Sequence, residues 1–203
     1  MRKTIIDKAL KHLNEDPKIR QIILNQNYPV FKKAQDPFIA LSKSIIFQQL
    51  SGRSANAIYQ RFINLYKSIP SAKNLLNIDD KKFQEAGLSR QKIIYLKALS
   101  TFFLSHENIN FNILSDEEIS NKLIEIKGIG QWTIDMFLMF TLFRTDILPI
   151  GDLGIQKGFK ILYNLDELPT SKFMLDKSKP WRPYRTIASI YIWRLVDSED
   201  DNW

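Results

Sequence analysis

The stretch Leu123-Ile-Glu-Ile-Lys-Gly-Ile-Gly-Gln-Trp-Thr133 decides how this chain is read. A capping-box pattern, Ser115-Asp-Glu-Glu118, opens a helix that ends near Ile126, and a very apolar helix follows from Trp132 to Phe143. The two are joined by a tight turn with glycines at 128 and 130. Glycine at a bend permits left-handed φ values and lets another backbone come close. Gly130 stands at the mouth of the second helix, where first-turn N–H groups and the positive dipole end point outward. That arrangement is an anion site, and Lys127 adds a charge to it. An ordinary αα-hairpin with a glycine-rich turn explains the same residues, and the turn alone does not separate the two readings.

Outward from the hairpin, most of the chain also reads as helix. The chain has 7 Gly and 8 Pro, and few stretches alternate with period two, so little interrupts helical spacing. Ile5, Ile6, Ala9, Leu10 and Leu13 share a helical face, and Pro17 is expected to end that segment. Asp36-Pro37 reads as an N-cap with proline at the first helical position, opening a buried helix from Phe38 to about Leu50. Ser51-Gly52 is expected to break it, and a second helix to run from about Ser54 to Tyr66. Short helices are expected at Ala72–Leu76 and Asp79–Ala86, the latter closed by Gly87. Ser89 caps a further helix. Asp152 precedes one from Leu153 to Tyr163, and Pro183 starts the last, Tyr184 to Val196. This is an all-α array of about ten helices, expected to form one domain over residues 1–203: a two-lobed bundle with a cleft between the lobes.

Composition removes several chemistries. With 0 Cys there is no disulfide framework, thiol nucleophile or cysteine-ligated cluster. The 2 His, His12 and His106, do not make a histidine-rich metal site. The 29 basic and 22 acidic residues leave a net charge of +7, which suits a polyanionic partner, although a merely soluble basic surface gives the same excess. Met1 to Leu13 lacks the apolar core of a secretory signal. No apolar run reaches the roughly 18 residues of a membrane span. No membrane partner and a cytoplasmic location, nucleoid-associated in a prokaryote, are the expectation.

A second element lies in Leu148-Pro-Ile-Gly-Asp-Leu-Gly-Ile155. Asp152 follows a Pro and Gly loop where a helix begins, and taken alone it is a plain N-cap. Taken together, Lys127-Gly-Ile-Gly-Gln-Trp-Thr133 and Pro149-Ile-Gly-Asp152 resemble the helix-hairpin-helix, Gly/Pro-Asp superfamily of base-excision DNA glycosylases. Within it the chain is most similar to the alkylated-purine, 3-methyladenine DNA glycosylase II branch. Supporting stretches are Phe47-Gln-Gln-Leu-Ser51, Gly87-Leu-Ser-Arg-Gln-Lys92, Pro180-Trp-Arg-Pro-Tyr-Arg185 and Ile192-Trp-Arg194. The likeness runs from about residue 36 to 196, with the helix-hairpin-helix over about 116–143.

The resemblance implies a fold, a partner and a set of roles. The partner is double-stranded DNA containing alkylated bases. Asp152 becomes the catalytic carboxylate, stabilising oxocarbenium character on the deoxyribose as a cationic purine leaves. Backbone N–H donors at a helix start favour the charged carboxylate that this role needs. Bifunctional members carry a lysine after the hairpin, where this chain has Trp132, so no imine forms there and an abasic site is the product. Trp132 instead offers a flat ring to an extruded cationic base, or is simply core at the start of a buried helix. Leu50 falls at the wedge that fills the gap in the duplex, or is plain core. Gln48 and Gln49 line the pocket or meet the orphaned base. Ser51, Arg53, Lys127, Gly128, Ile129, Gly130, Gln131 and Lys157 are the implied DNA contacts, with Arg90 and Lys92 as further basic candidates against solvated surface charge. No cofactor is required, but the hairpin is similar to those that hold a monovalent cation, sodium or potassium, on the carbonyls matching Ile124, Ile126 and Ile129.

The chain departs from the branch in its pocket. Met136 and Leu153 stand where the longer form has tyrosines, and an expected pocket tryptophan falls on Ile190. Trp181, Tyr184, Tyr191 and Trp193 lie nearby, with Trp181 and Tyr184 the substrate-contact candidates. The chain is too short for the longer form's N-terminal β domain and resembles the compact relatives, and a monomer is the default expectation for this architecture. The depleted pocket motivates an alternative from another class: a helix-hairpin-helix module that grips damaged, bent or branched DNA with little or no turnover.

Overall fold

A computed structural model describes residues 1–31, 36–50, 52–66 and 69–196. Among these residues the chain forms twelve α-helices, one short 3-10 turn and no strand, the all-α class expected. The first two helices are α1 (Lys3–Leu13) and α2 (Pro17–Leu24). Asp16 accepts hydrogen bonds from the Lys18 and Ile19 N–H groups, so Pro17 opens a helix at its first position rather than only ending one. Next come α3 (Pro37–Phe47), capped by Asp36 as expected, and α4 (Gly52–Ile63). The helix expected to reach Leu50 stops earlier, because Gln48 turns extended and Gln49 is left-handed at φ 58°. Gly52 begins the following helix instead of breaking the one before.

The chain continues through α5 (Ala72–Leu76), α6 (Asp80–Glu85) and α7 (Arg90–Ser105). Gly87, at φ +97°, closes α6 as the sequence implies, with the Leu88 N–H bonding back to the Phe83 carbonyl at 3.0 Å. The Ser115–Glu118 capping box is formed and starts α8 (Asp116–Ile124). Then follow α9 (Gln131–Phe140) and α10 (Leu153–Tyr163). A helix absent from the sequence expectation, α11 (Ser171–Lys177), is capped by Thr170. The 3-10 turn Lys179–Trp181 leads to α12 (Arg185–Trp193), three residues shorter at its end than expected. No helix of the described residues is long and apolar enough to cross a membrane.

The chain divides into two compact units, one of residues 35–137 and one of residues 1–34 with 138–203. In the first, α7 carries α3, α5 and α6, while α4 packs on α3. Leu41, Ile45, Phe62, Phe83, Leu96 and Leu99 are its fully buried centre. Each such side chain contributes roughly 1.5–3 kcal/mol by leaving water. In the second unit α12 is the axis. Every one of its residues from Arg185 to Trp193 is buried, and α1, α2 and α10 pack against it. Gly158 of α10 permits this approach: a Cβ there would lie 2.4 Å from Ile192 Cγ2 and 2.5 Å from the Ile192 carbonyl oxygen.

Candidate active site and nucleic-acid interface

In the unit of residues 35–137 the hairpin bends at Gly128, whose φ of +93° is a left-handed value. The ring of Tyr95 lies directly beneath it, and a Cβ on Gly128 would come 2.2 Å from Tyr95 Cγ. Both conformation and space therefore demand glycine. Gly130 differs. Its carbonyl accepts the Ile134 N–H at 3.1 Å, which places it at the cap of α9, yet a Cβ would meet nothing within 4 Å. Nothing among the described residues requires glycine at 130, and as a cap it offers the first-turn N–H groups no side-chain oxygen. Lys127 and Gln131 are exposed, and Gln131 Nε2 donates to Asp135 Oδ1 at 2.8 Å. Ile126 and Ile129 are buried, Ile124 is exposed, and the Ile126 carbonyl accepts the Ile129 N–H at 3.0 Å.

Trp132 is 40% exposed on a helix whose next seven residues, Thr133 to Met139, are all buried. It is not core. Leu50 is 39% exposed at the tip of the α3–α4 turn, so it is not core either. Gln49 and Arg53 are exposed, and Ser51 lies outside the described residues. Met136 is part of the buried run and presents little surface. Gln48 does not project outward. Its Nε2 donates to the Gly128 carbonyl at 2.9 Å and more weakly to Thr133 Oγ1 at 3.4 Å, so it braces the hairpin. Lys92 is not a surface phosphate contact. Its Nζ donates to the carbonyls of Ile46 at 2.6 Å and Gln48 at 2.8 Å, and burial pushes its pKa below the ordinary lysine value.

Asp152 belongs to the other unit. It caps α10, with Oδ1 accepting the Ile155 N–H at 2.9 Å, and the same oxygen accepts Trp193 Nε1–H at 2.7 Å. Trp193 is 2% exposed and packs on Phe140 at 6.1 Å between ring centroids. Gly154 makes room for it: a Cβ there would fall 2.8 Å from Trp193 Cδ1 and 3.0 Å from Asp152 Oδ1. The segment leading to Asp152 is clamped to α12. Arg185 binds Asp146 through Nε at 2.6 Å and Nη2 at 3.1 Å, and Arg182 Nη1 adds a contact at 3.0 Å. Thr186 Oγ1 donates to the Arg144 carbonyl at 2.7 Å and accepts the Ile147 N–H at 3.0 Å. A carboxylate held on one side by two donors, at the start of a helix, is an electrostatic element of fixed orientation.

The remaining expectations divide. Leu153 and Lys157 are exposed on the first turns of α10. Tyr184 is half-buried, edge-on to His12 at 5.5 Å. Trp181 is not a pocket residue. It is fully buried, its Nε1 donates to Asp16 Oδ2 at 2.8 Å, and its ring lies 5.4 Å from that of Phe159. Trp193 was named only in the Ile192-Trp-Arg194 stretch and among the nearby aromatics, without a role, and Gly154 and the Asp146 clamp were not singled out by sequence. The one signal for Gly154 was the spacing Gly154-Ile-Gln-Lys-Gly158, which marks a helix face open to a close neighbour.

Comparison with known proteins agrees with this geometry. The model of the HhH-GPD superfamily of base excision DNA repair proteins matches residues 42–183. DNA-3-methyladenine glycosylase 1 of Schizosaccharomyces pombe is 33% identical over 82% of this chain and 75% of its own length. The solved structure of the S. pombe 3-methyladenine DNA glycosylase Mag1 in complex with abasic DNA aligns with a TM-score of 0.85 at 31% identity, covering 97% of this chain and 99% of that one. A DNA-3-methyladenine glycosidase from Bacillus halodurans aligns with a TM-score of 0.83 at 33% identity, over 95% and 91% of the two chains. Hairpin, capping carboxylate and helical order thus fall within one matched region, and the chain belongs to the HhH-GPD superfamily of base excision DNA repair proteins.

Proposed function

We propose that this chain is a monofunctional DNA glycosylase that extrudes alkylated purines of the 3-methyladenine and 7-methylguanine type from duplex DNA and hydrolyses their N-glycosidic bond. The observation that carries the reading is Asp152, the cap of α10, with Oδ1 held by Ile155 and Trp193. Alkylation at N3 or N7 leaves the purine cationic, so it departs with the bonding electron pair as a neutral base. Positive charge then builds on the sugar, and the Asp152 carboxylate stabilises it before water adds at C1′. Trp132, exposed on α9, offers an electron-rich face on which a cationic base gains more than a neutral one. Leu50 fills the vacated space in the stack.

Gly130, Gln131 and the first-turn amides of α9 grip a backbone phosphate beside Lys127, and Arg53 and Lys157 each add charge for the duplex on its own unit. The carbonyls of Ile124, Ile126 and Ile129 are neutral oxygen donors suited to a monovalent cation such as sodium or potassium. Ile126 keeps one lone pair after its turn bond, so the set fits such an ion. The chain acts as a monomer. Bases released from methylated duplex DNA, resolved by chromatography, test the reading. Release of 3-methyladenine and 7-methylguanine above buffer supports it. Tight binding without release would favour a non-catalytic module for damaged or bent DNA, the reading suggested by Met136 and Leu153 at the tyrosine positions.

A further inference from the structure

Leu50 and the hairpin share one support. Helix α7 presents Lys92 and Tyr95 on one face, three residues apart. Lys92 Nζ holds the carbonyls of Ile46, in the last turn of α3, and of Gln48, just beyond its end, where a helix dipole favours a cation. Two residues beyond Gln48 the chain reaches Leu50. The Gln48 side chain runs the other way, to the Gly128 carbonyl, and Gly128 rests on the Tyr95 ring. The main chain of Gln48 is thus fixed by α7, its side chain fixes the hairpin, and the hairpin returns to α7.

We propose that Lys92 and Gln48 are positioning residues that hold Leu50 in register with the hairpin, so that docking a duplex phosphate on the hairpin sets where Leu50 enters the base stack. The inference rests on the roles of wedge and phosphate grip given above. It makes Lys92 a cation that serves the interior and adds nothing to the count of neutralised phosphates.

Base extrusion is followed with a fluorescent purine analogue beside a lesion in duplex DNA, for the wild type, Lys92→Met, Gln48→Ala, Leu50→Ala and the pairs with Leu50→Ala. Each of the first two changes slows extrusion by about tenfold, the worth of a charge-assisted or buried hydrogen bond. For Lys92→Met, affinity for undamaged duplex and its salt slope stay at the wild-type values. In the Leu50→Ala background neither change slows extrusion further, because both act through Leu50. Lys92→Arg, which still offers donors to the two carbonyls, recovers part of the loss. Should Lys92→Met fail to fold, Gln48→Ala carries the same cycle from the other side of the linkage. Costs that multiply in the pairs, or a shallower salt slope for Lys92→Met, would overturn the coupling alone. No extrusion by the wild type would overturn the wedge role and the coupling together.

Discussion

Trp193 donates its indole N–H to Asp152 Oδ1 across 2.7 Å, while the Ile155 N–H reaches the same oxygen at 2.9 Å. The carboxylate is therefore oriented by a side chain from α12 as well as by the start of its own helix. Trp193→Phe keeps an aromatic ring and removes the donor. Base release should fall on the order of tenfold, with affinity for lesion DNA unchanged. An equal loss in both measurements would mean that the ring matters only for folding.

Gly154 and Gly158 should answer differently to alanine. At 154 the new Cβ strikes the Trp193 ring and the Asp152 oxygen, so release falls more than stability. At 158 it strikes Ile192, including backbone that cannot swing away. Overpacking there costs roughly 1–3 kcal/mol, and a domain of this size loses about 2–4 °C in Tm per kcal/mol. Melting curves and release rates on the two variants check the contrast.

Much of this was legible in the residues, and the failures share a cause. Local chemistry gave the Ser115 capping box, the Gly87 closure and the bounds of α10, because caps and left-handed glycines act within a few residues. Pro17 was read only as a helix end, although proline begins a helix as readily, and here it begins α2. Trp181 and Trp193 are alike as sequence, but one meets Asp16 and the other Asp152, each through a chain separation above 40 residues. Gln48 read as a pocket or orphaned-base contact, and Lys92 as a phosphate contact or surface charge, until α3 and α7 pack. Whether a polar side chain turns inward is settled by partners that are distant in the chain.

Strand cleavage tests the absence of an amine at position 132. Borohydride added during turnover on lesion DNA should trap no covalent protein–DNA adduct, since no lysine stands there to form an imine. Abundant trapping would contradict monofunctional hydrolysis.

Tyr163 gives an alkaline signature. Burial, with the nearby Asp16 charge, raises its phenol from an ordinary 10.0 to about 12. Above pH 10 the unfolded chain releases a proton that the folded chain keeps, so stability falls between pH 10 and 12 and its Tyr163 part is constant below. Tyr163→Phe should flatten that fall, read from denaturant midpoints across the range. An unchanged slope would assign the alkaline loss to other groups.

Asp152→Asn is the most direct measurement of the account. The asparagine carbonyl still accepts from Trp193 and Ile155, so the change removes charge while keeping shape. Release of 3-methyladenine from methylated duplex DNA should drop by about 100-fold or more, as when a transition-state electrostatic contact is lost, with DNA affinity within a few-fold of wild type. A variant that releases the base at the wild-type rate would contradict the assignment of Asp152 as the catalytic carboxylate.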